Sequence, residues 1–368
     1  MRKGSPKTNS RMGTIAAASM LAALISTALL AVLASGAAAA TGKVGHSASG
    51  QAKSASPLVI GDILYNNDAY QTAQQKWMQK YADSIGVKIV FENQLGQGTN
   101  APNLMDDLLA KGVNGVIFQP ADANVAVPLV QQAQGKKIPV LGWAIPFGTG
   151  VTTPYIGLAE STQAFAAGKR AAQYVQSHFP GQKVRVLIVT IQGASICKTI
   201  RMGNFEKGVK AVAPKASFVW INGAGDRNKA VTVTEDALQR EKDFNIASGC
   251  NSDMAMGALQ AFKSAGLGGA VNKKPTHTYF YSINGTDEEL RALTDPSSPL
   301  MEDLGLTPKE VAKTLINTMI KMINGGIDAY GSYTANVPDK ALTPKCATAN
   351  AFNKDEYFAT KNLPCAGK

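Results

Sequence analysis

Short apolar runs recur along the chain at 58–64, 87–91, 115–118 and 139–143, with stretches of helical spacing between them. Over 71–85, Ala73, Trp77, Tyr81 and Ile85 return every fourth residue, the spacing of one buried helix face. Segments 101–111 and 122–135 supply the next two helices. The rhythm then restarts with a strand at 155–158 and a long helix over 161–178, for which Ser161 is the expected N-cap. Strands at 184–189, 217–221, 244–247 and 278–282 follow, with helices near 199–213, 228–241 and 252–265 between them. A last helix over 308–323 opens on Pro308 and stops before Gly325-Gly326. Such alternation predicts an α/β chain with parallel sheets covered by helices on both faces. It falls into two similar halves, 57–158 and 159–305, with a short joint at 157–160 in place of a Gly/Ser-rich linker. That arrangement predicts two lobes on a hinge.

The first forty residues break the pattern. Arg2, Lys3, Lys7 and Arg11 precede an uncharged apolar run over 14–33, and Ala38-Ala39-Ala40 supplies the small residues of a cleavage site. This reads as a secretory signal over 1–40, followed by a small, polar leader over 41–56. The segment holds four of the 37 Lys+Arg and none of the 26 Asp+Glu, so the mature chain keeps a net charge of +7. That charge is scattered, which argues against a nucleic-acid partner. The four Cys (Cys197, Cys250, Cys346 and Cys365) form an even set in an exported chain, favouring disulfides with three pairings open.

Ligands of open parallel sheets sit beyond the carboxyl ends of the strands. Here those ends carry Tyr65, Asn66, Asn67, Asp68 and Tyr70, then Gln119, then Trp143-Ala144-Ile145. In the second half they carry 193–201, 223–227, Asn251-Ser252-Asp253 and Asn284. The set is rich in amides and aromatics and holds no His, which suits a neutral, hydroxyl-bearing ligand. Asp68, Asp122, Asp226 and Asn251 also stand where helix caps are expected. Trp143 closes a buried-type strand just before Pro146, so it is expected to face a ligand. Arg201 opens a helix, where the dipole disfavours a cation, and is expected to point across the cleft. His46, His178 and His277 cannot form a triad or a metal cluster, and neither a G-x-S-x-G nor a P-loop occurs. No enzymatic activity, cofactor or metal is expected.

Several stretches, in this order, carry a resemblance: Asn66-Asn67 with Tyr70, GVIFQPAD (115–122), IPVLGW (138–143), RMGNF (201–205), NSDMAMGAL (251–259) and INGT (283–286). The chain resembles the ribose/galactose type of periplasmic sugar-binding proteins, the type I solute receptors of ABC importers. The resemblance implies two doubly wound parallel-sheet lobes joined by a three-crossover hinge. Residues 306–335 would return to the first lobe, and 336–368 would form a final second-lobe strand and a tail. Position by position, it implies ligand contacts from Asn67, Tyr70, Gln119, Asn251 and Asn284, with Thr199 and Arg201 sharing the place of a family Arg. It also implies bridges Cys197–Cys250, between neighbouring strand ends, and Cys346–Cys365 within the tail.

Departures matter for the ligand. The Asp-Arg pair usual after the fourth strand is Ala144-Ile145, usual aromatic positions are Ala69 and Ile283, a late polar position is Leu306, and Asn284 stands where sugar binders commonly carry Asp. A fully hydroxylated pentose would leave buried hydroxyls unpaired there. The expected ligand is therefore neutral and less polar: a deoxy or substituted sugar, a cyclitol, or a flat ring stacked on Trp143 and Tyr70. The expected partner is a membrane permease, with a chemotaxis or kinase transducer as the alternative, and the expected state is a monomer in the periplasm.

Overall fold

The computed structural model describes residues 57–267, 277–295 and 297–343. The predicted signal, the leader and the Cys346–Cys365 pair lie outside the described residues. The first lobe begins with β1 (Val59–Leu64), α1 (Ala69–Ser84), β2 (Lys88–Asn93), α2 (Ala101–Ala110), β3 (Gly115–Phe118), α3 (Ala123–Gly135), β4 (Val140–Trp143) and β5 (Tyr155–Leu158). The second continues with α4 (Glu160–His178), β6 (Arg185–Thr190), a π-helical turn over Ile196–Met202, α5 (Gly203–Val212), β7 (Ser217–Asn222) and α6 (Arg227–Arg240). It is completed by β8 (Ile246–Gly249), α7 (Ser252–Ser264), β9 (Tyr279–Asn284), α8 (Asp287–Thr294) and β10 (Leu300–Leu306). The chain then runs through α9 (Pro308–Ile323), β11 (Thr334–Val337) and β12 (Asp339–Leu342).

Two six-stranded sheets result, ordered β11-β5-β4-β3-β1-β2 and β12-β10-β9-β8-β6-β7. All pairs are parallel except β10 with β12. The chain passes between the sheets three times, after β5, after β10 and at Pro338 between β11 and β12. α9 packs on α1 and on β3 and β4, which accounts for the orphan helix that follows the second half. Both sheets are buried on two faces, so their strands read as continuous apolar runs. Among the described residues, no helix is long and apolar enough to cross a membrane.

Helix entries follow local chemistry. Asp68 caps α1, Asp122 caps α3, Asp226 caps α6 and Asn251 caps α7, each accepting a backbone N–H of the first turn. The predicted cap at Ser161 is not used. α4 starts one residue earlier, at Glu160, and its N-cap Ala159 makes no side-chain bond. Glu160 is instead drawn inside by an ion pair described below. α4 and α5 cross at glycines: a Cβ on Gly168 would stand 2.1 Å from the Phe205 carbonyl, and one on Gly208 2.0 Å from that of Phe165. Only glycine permits this backbone approach.

One polar group is isolated in the first lobe's core. Asp62 sits in mid-β1 opposite Phe91 and Ile117, on the same face as Ile60, and is 1 % exposed. Its Oδ2 has no protein partner, and desolvation raises its carboxyl to about 8. The folded state therefore holds a proton that the unfolded chain gives up near the ordinary carboxylate range. The contribution of Asp62 to stability is fullest at low pH and is lost as pH rises through the window up to about 8. Asp62→Asn should flatten that slope and exceed the wild type above it by a few kcal/mol, on the order set by such a shift. Urea melts at stepped pH check this; parallel slopes for the two proteins would contradict it.

Candidate functional site

The strand tips of both sheets converge on one cavity. From the first lobe come Tyr65, Asp68, Tyr70 and Gln71 after β1, Gln119 after β3, and Trp143, Ala144 and Ile145 at the end of β4. From the second come Ile191 and Ala194 after β6, Ile196, Cys197 and Arg201 of the π-helical turn, Asn251 after β8, Asn284 ending β9 and Leu306 ending β10. The cavity has a volume of about 40 Å³, room for more than one water.

Trp143 is 1 % exposed, and its indole Nε1 has no partner within the protein. It is presented by a strained turn. Ala144 has φ +56°, and Ile145 N donates to Trp143 O at 2.6 Å, closing a three-residue turn. The Tyr155 hydroxyl holds this turn by donating to Ala144 O at 2.8 Å. Asn284, across the cavity, also has a positive φ, of 142°. Two non-glycine residues in disfavoured backbone regions thus line one cavity, one from each lobe.

Arg201 does not reach freely across the cleft as the sequence suggested. It is 7 % exposed and grips Glu160, itself 1 % exposed, through Nε–Oε2 at 3.0 Å and Nη2–Oε1 at 2.6 Å. Its Nη1 donates to Cys250 O at 2.8 Å. Burial works against the guanidinium charge, but the attraction of Glu160 and its hydrogen bonds outweigh it and raise the Arg201 pKa. The pair leaves the cavity wall close to neutral. Asp68 is the remaining acid, and desolvation raises its carboxyl above the ordinary range. The Cys197–Cys250 disulfide, with Cα atoms 5.2 Å apart, ties the π-helical turn to the tip of β8.

The amides are oriented by the scaffold. Asn251 Oδ1 accepts from Met254 N at 3.1 Å, and Asn284 Oδ1 accepts from Ser252 N at 3.0 Å. Gln119 Oε1 accepts from Gln71 Nε2 at 2.7 Å. Of the residues anticipated from sequence, Tyr65, Tyr70, Gln119, Trp143, Arg201, Asn251 and Asn284 line the cavity. Asn67 and Thr199 do not: both are exposed. Asn67 Oδ1 accepts from the Asn93 amide, because Asp68 takes the cap and turns its neighbour outward. Thr199 lies on the outer side of the π-helical turn, whose inner side carries Cys197 and Arg201. Asp68 is both the expected cap and part of the wall, whereas Gln71 and Glu160 are not anticipated from sequence. The misplaced cation at Arg201 was the signal that a buried acid was needed.

The model of the periplasmic binding protein domain family matches residues 63–327, more than half of the chain. The Escherichia coli ABC transporter periplasmic-binding protein YphF is 20 % identical over 76 % of this chain and 84 % of its own length. The Haemophilus influenzae ribose import binding protein RbsB is 24 % identical over 67 % of this chain and 79 % of its own. The crystal structure of a Caulobacter myo-inositol binding protein superposes with a TM-score of 0.68 at 19 % identity, covering 79 % of this chain and 95 % of that one. That last likeness speaks to fold alone.

Proposed function

The chain belongs to the periplasmic binding protein domain family, and from that premise we propose that it is an extracytoplasmic solute receptor of an ABC importer. It closes two lobes over a small uncharged ligand of the substituted-sugar or cyclitol kind and presents the closed form to a membrane permease. The carrying observation is that Trp143 from one lobe and Asn251 from the other line one cavity whose only buried cation is already matched by Glu160, among the described residues. An anionic ligand would find no free cation there, and the remaining acid, Asp68, is turned to the first turn of α1 and favoured by burial in its protonated form. A relative named for ribose import supports a small neutral sugar-like ligand, and the apolar Ala144 and Ile145 in the wall favour a less hydroxylated member of that class. Residues 1–40 carry the export signal and are removed, leaving a monomeric periplasmic protein. Binding, closure and release need no covalent step, so the site residues act only by contact.

The test is calorimetric. Neutral cyclitols and deoxy sugars titrated into the purified protein should bind, and sugar acids and amino sugars of the same size should not. Preference for a charged ligand would overturn the reading.

A further inference from the structure

Hydrogen-bonding side chains are not spread evenly around the cavity. They come from the tips of β1, β3, β8 and β9, with Trp143 ending β4 and Arg201 on the π-helical turn. The strand tips that flank the hinge differ. Ala144 and Ile145 follow β4, Leu158 ends β5 and Leu306 ends β10, and all four line the cavity with apolar side chains. Register brings them to one edge. β4 and β5 are neighbours, with Trp143 opposite Ile156. Leu158 and Leu306 are the last strand residues before the first and second crossings. They stand opposite Val337 and Asp339, the two residues on either side of Pro338 at the third crossing. The edge of the cavity next to the hinge is therefore an apolar floor shared by both lobes.

The turn in that floor has no donor to spare. Ala144 N donates to Ile156 O at 3.0 Å and Ile145 N to Trp143 O at 2.6 Å, so both N–H groups are engaged. Glu160 and Asp339, at the first and third crossings, are not among the lining residues. What remains for a hydroxyl on the floor is a main-chain carbonyl such as Ala144 O, which already accepts from Tyr155. At the far edge Ile191 and Ala194 after β6 are also apolar, but Tyr65, Asp68, Tyr70 and Gln71 after β1 stand beside them in the same cavity. Resting on the reading of this cavity as the ligand site, we infer that it takes a deoxy sugar in one orientation, with a methyl group on the floor of Ala144, Ile145, Leu158 and Leu306 and the ring hydroxyls toward the tips of β1, β3, β8 and β9. A methyl there buries apolar surface against apolar surface. A hydroxymethyl in its place gives up water and leaves its lone pairs without a donor. Leu158 and Leu306 are thus specificity-determining residues, one from each lobe.

Matched pairs test this by calorimetry on the purified protein: D-fucose against D-galactose, and L-rhamnose against L-mannose, each pair exchanging a methyl for a hydroxymethyl group. In the pair whose ring hydroxyls fit, the deoxy member should bind about tenfold more tightly, the ratio expected from one poorly paired buried hydroxyl. Leu306→Gln gives that hydroxyl both a donor and an acceptor and should narrow the ratio about tenfold, by tightening the hydroxylated member. Leu158→Ala withdraws apolar surface and should narrow it from the other side, by weakening the deoxy member. Thermal melts establish that both variants are folded. Hydroxylated members that bind as tightly as their deoxy partners, or a ratio that neither folded variant moves, overturn the inference and leave the receptor role standing. So does binding of cyclitols with none of the four hexoses bound. Silence from the hexoses and the cyclitols together removes both.

Discussion

Glu160→Ala is expected to destabilise the protein by about 3–5 kcal/mol, the cost of leaving a buried charge without its partner. Glu160 and Arg201 are both almost fully buried and joined by two hydrogen bonds, and Arg201 also bonds Cys250 O. Removing the carboxylate strands the guanidinium in a wall that also carries the Cys197–Cys250 bridge. Losing the cation as well should rescue much of this. A Glu160→Met, Arg201→Met double variant is expected near wild-type stability, because well-packed apolar pairs replace buried ion pairs at little cost. Urea denaturation of the wild type, both single variants and the double variant gives the coupling directly. A single-variant loss below about 1 kcal/mol, as for an exposed pair, would contradict this account.

Trp143→Ala should have an effect of the same size for a different reason. The side chain is among the largest that are fully buried, and truncating an aromatic in such a place costs about 3–5 kcal/mol. It also removes the one indole donor in the cavity. Binding should therefore fall far more than stability alone predicts, even at temperatures where the variant remains folded. Trp143→Phe separates the two effects: much of the packing is restored, while the N–H is not. If Trp143→Ala retained wild-type affinity for a ligand of the protein, the ring would belong to the core alone.

Most of the scaffold was legible because both sheets are covered on two faces, which turns strands into apolar runs. β3 and β5 were read to the residue, and α9 with its opening proline likewise. β10 was not read as a strand because Glu302 and Asp303 interrupt its apolar sequence. Each is paired inside, Glu302 with Arg170 and the Tyr279 hydroxyl, Asp303 with the Ser282 hydroxyl. Such partners come from distant segments and leave no local mark. α8 is short and opens with three acids around a Thr286 capping box, so its apolar face is brief.

The site was legible where the strand ends could be counted and obscure where side-chain direction decided. Tyr70 and Asn67 were equally plausible on the first loop, and the cap at Asp68 chose between them. Thr199 and Arg201 are two residues apart, and a π-helical turn put only the latter inside. The left-handed backbone at Ala144 had no glycine to announce it. Glu160 lies 41 residues from Arg201; the sequence showed a cation in a poor place but not the acid that holds it. The Cys197–Cys250 bridge, implied by family resemblance and neighbouring strands, is present.

A crystal structure of the protein purified from its natural source, with whatever it carries, bears most directly on the central claim. The account predicts density for one small uncharged molecule touching both the Trp143 ring and the Asn251 amide, with the Arg201–Glu160 pair intact beside it. Density bound elsewhere, or a charged ligand that pulls Arg201 away from Glu160, would contradict it.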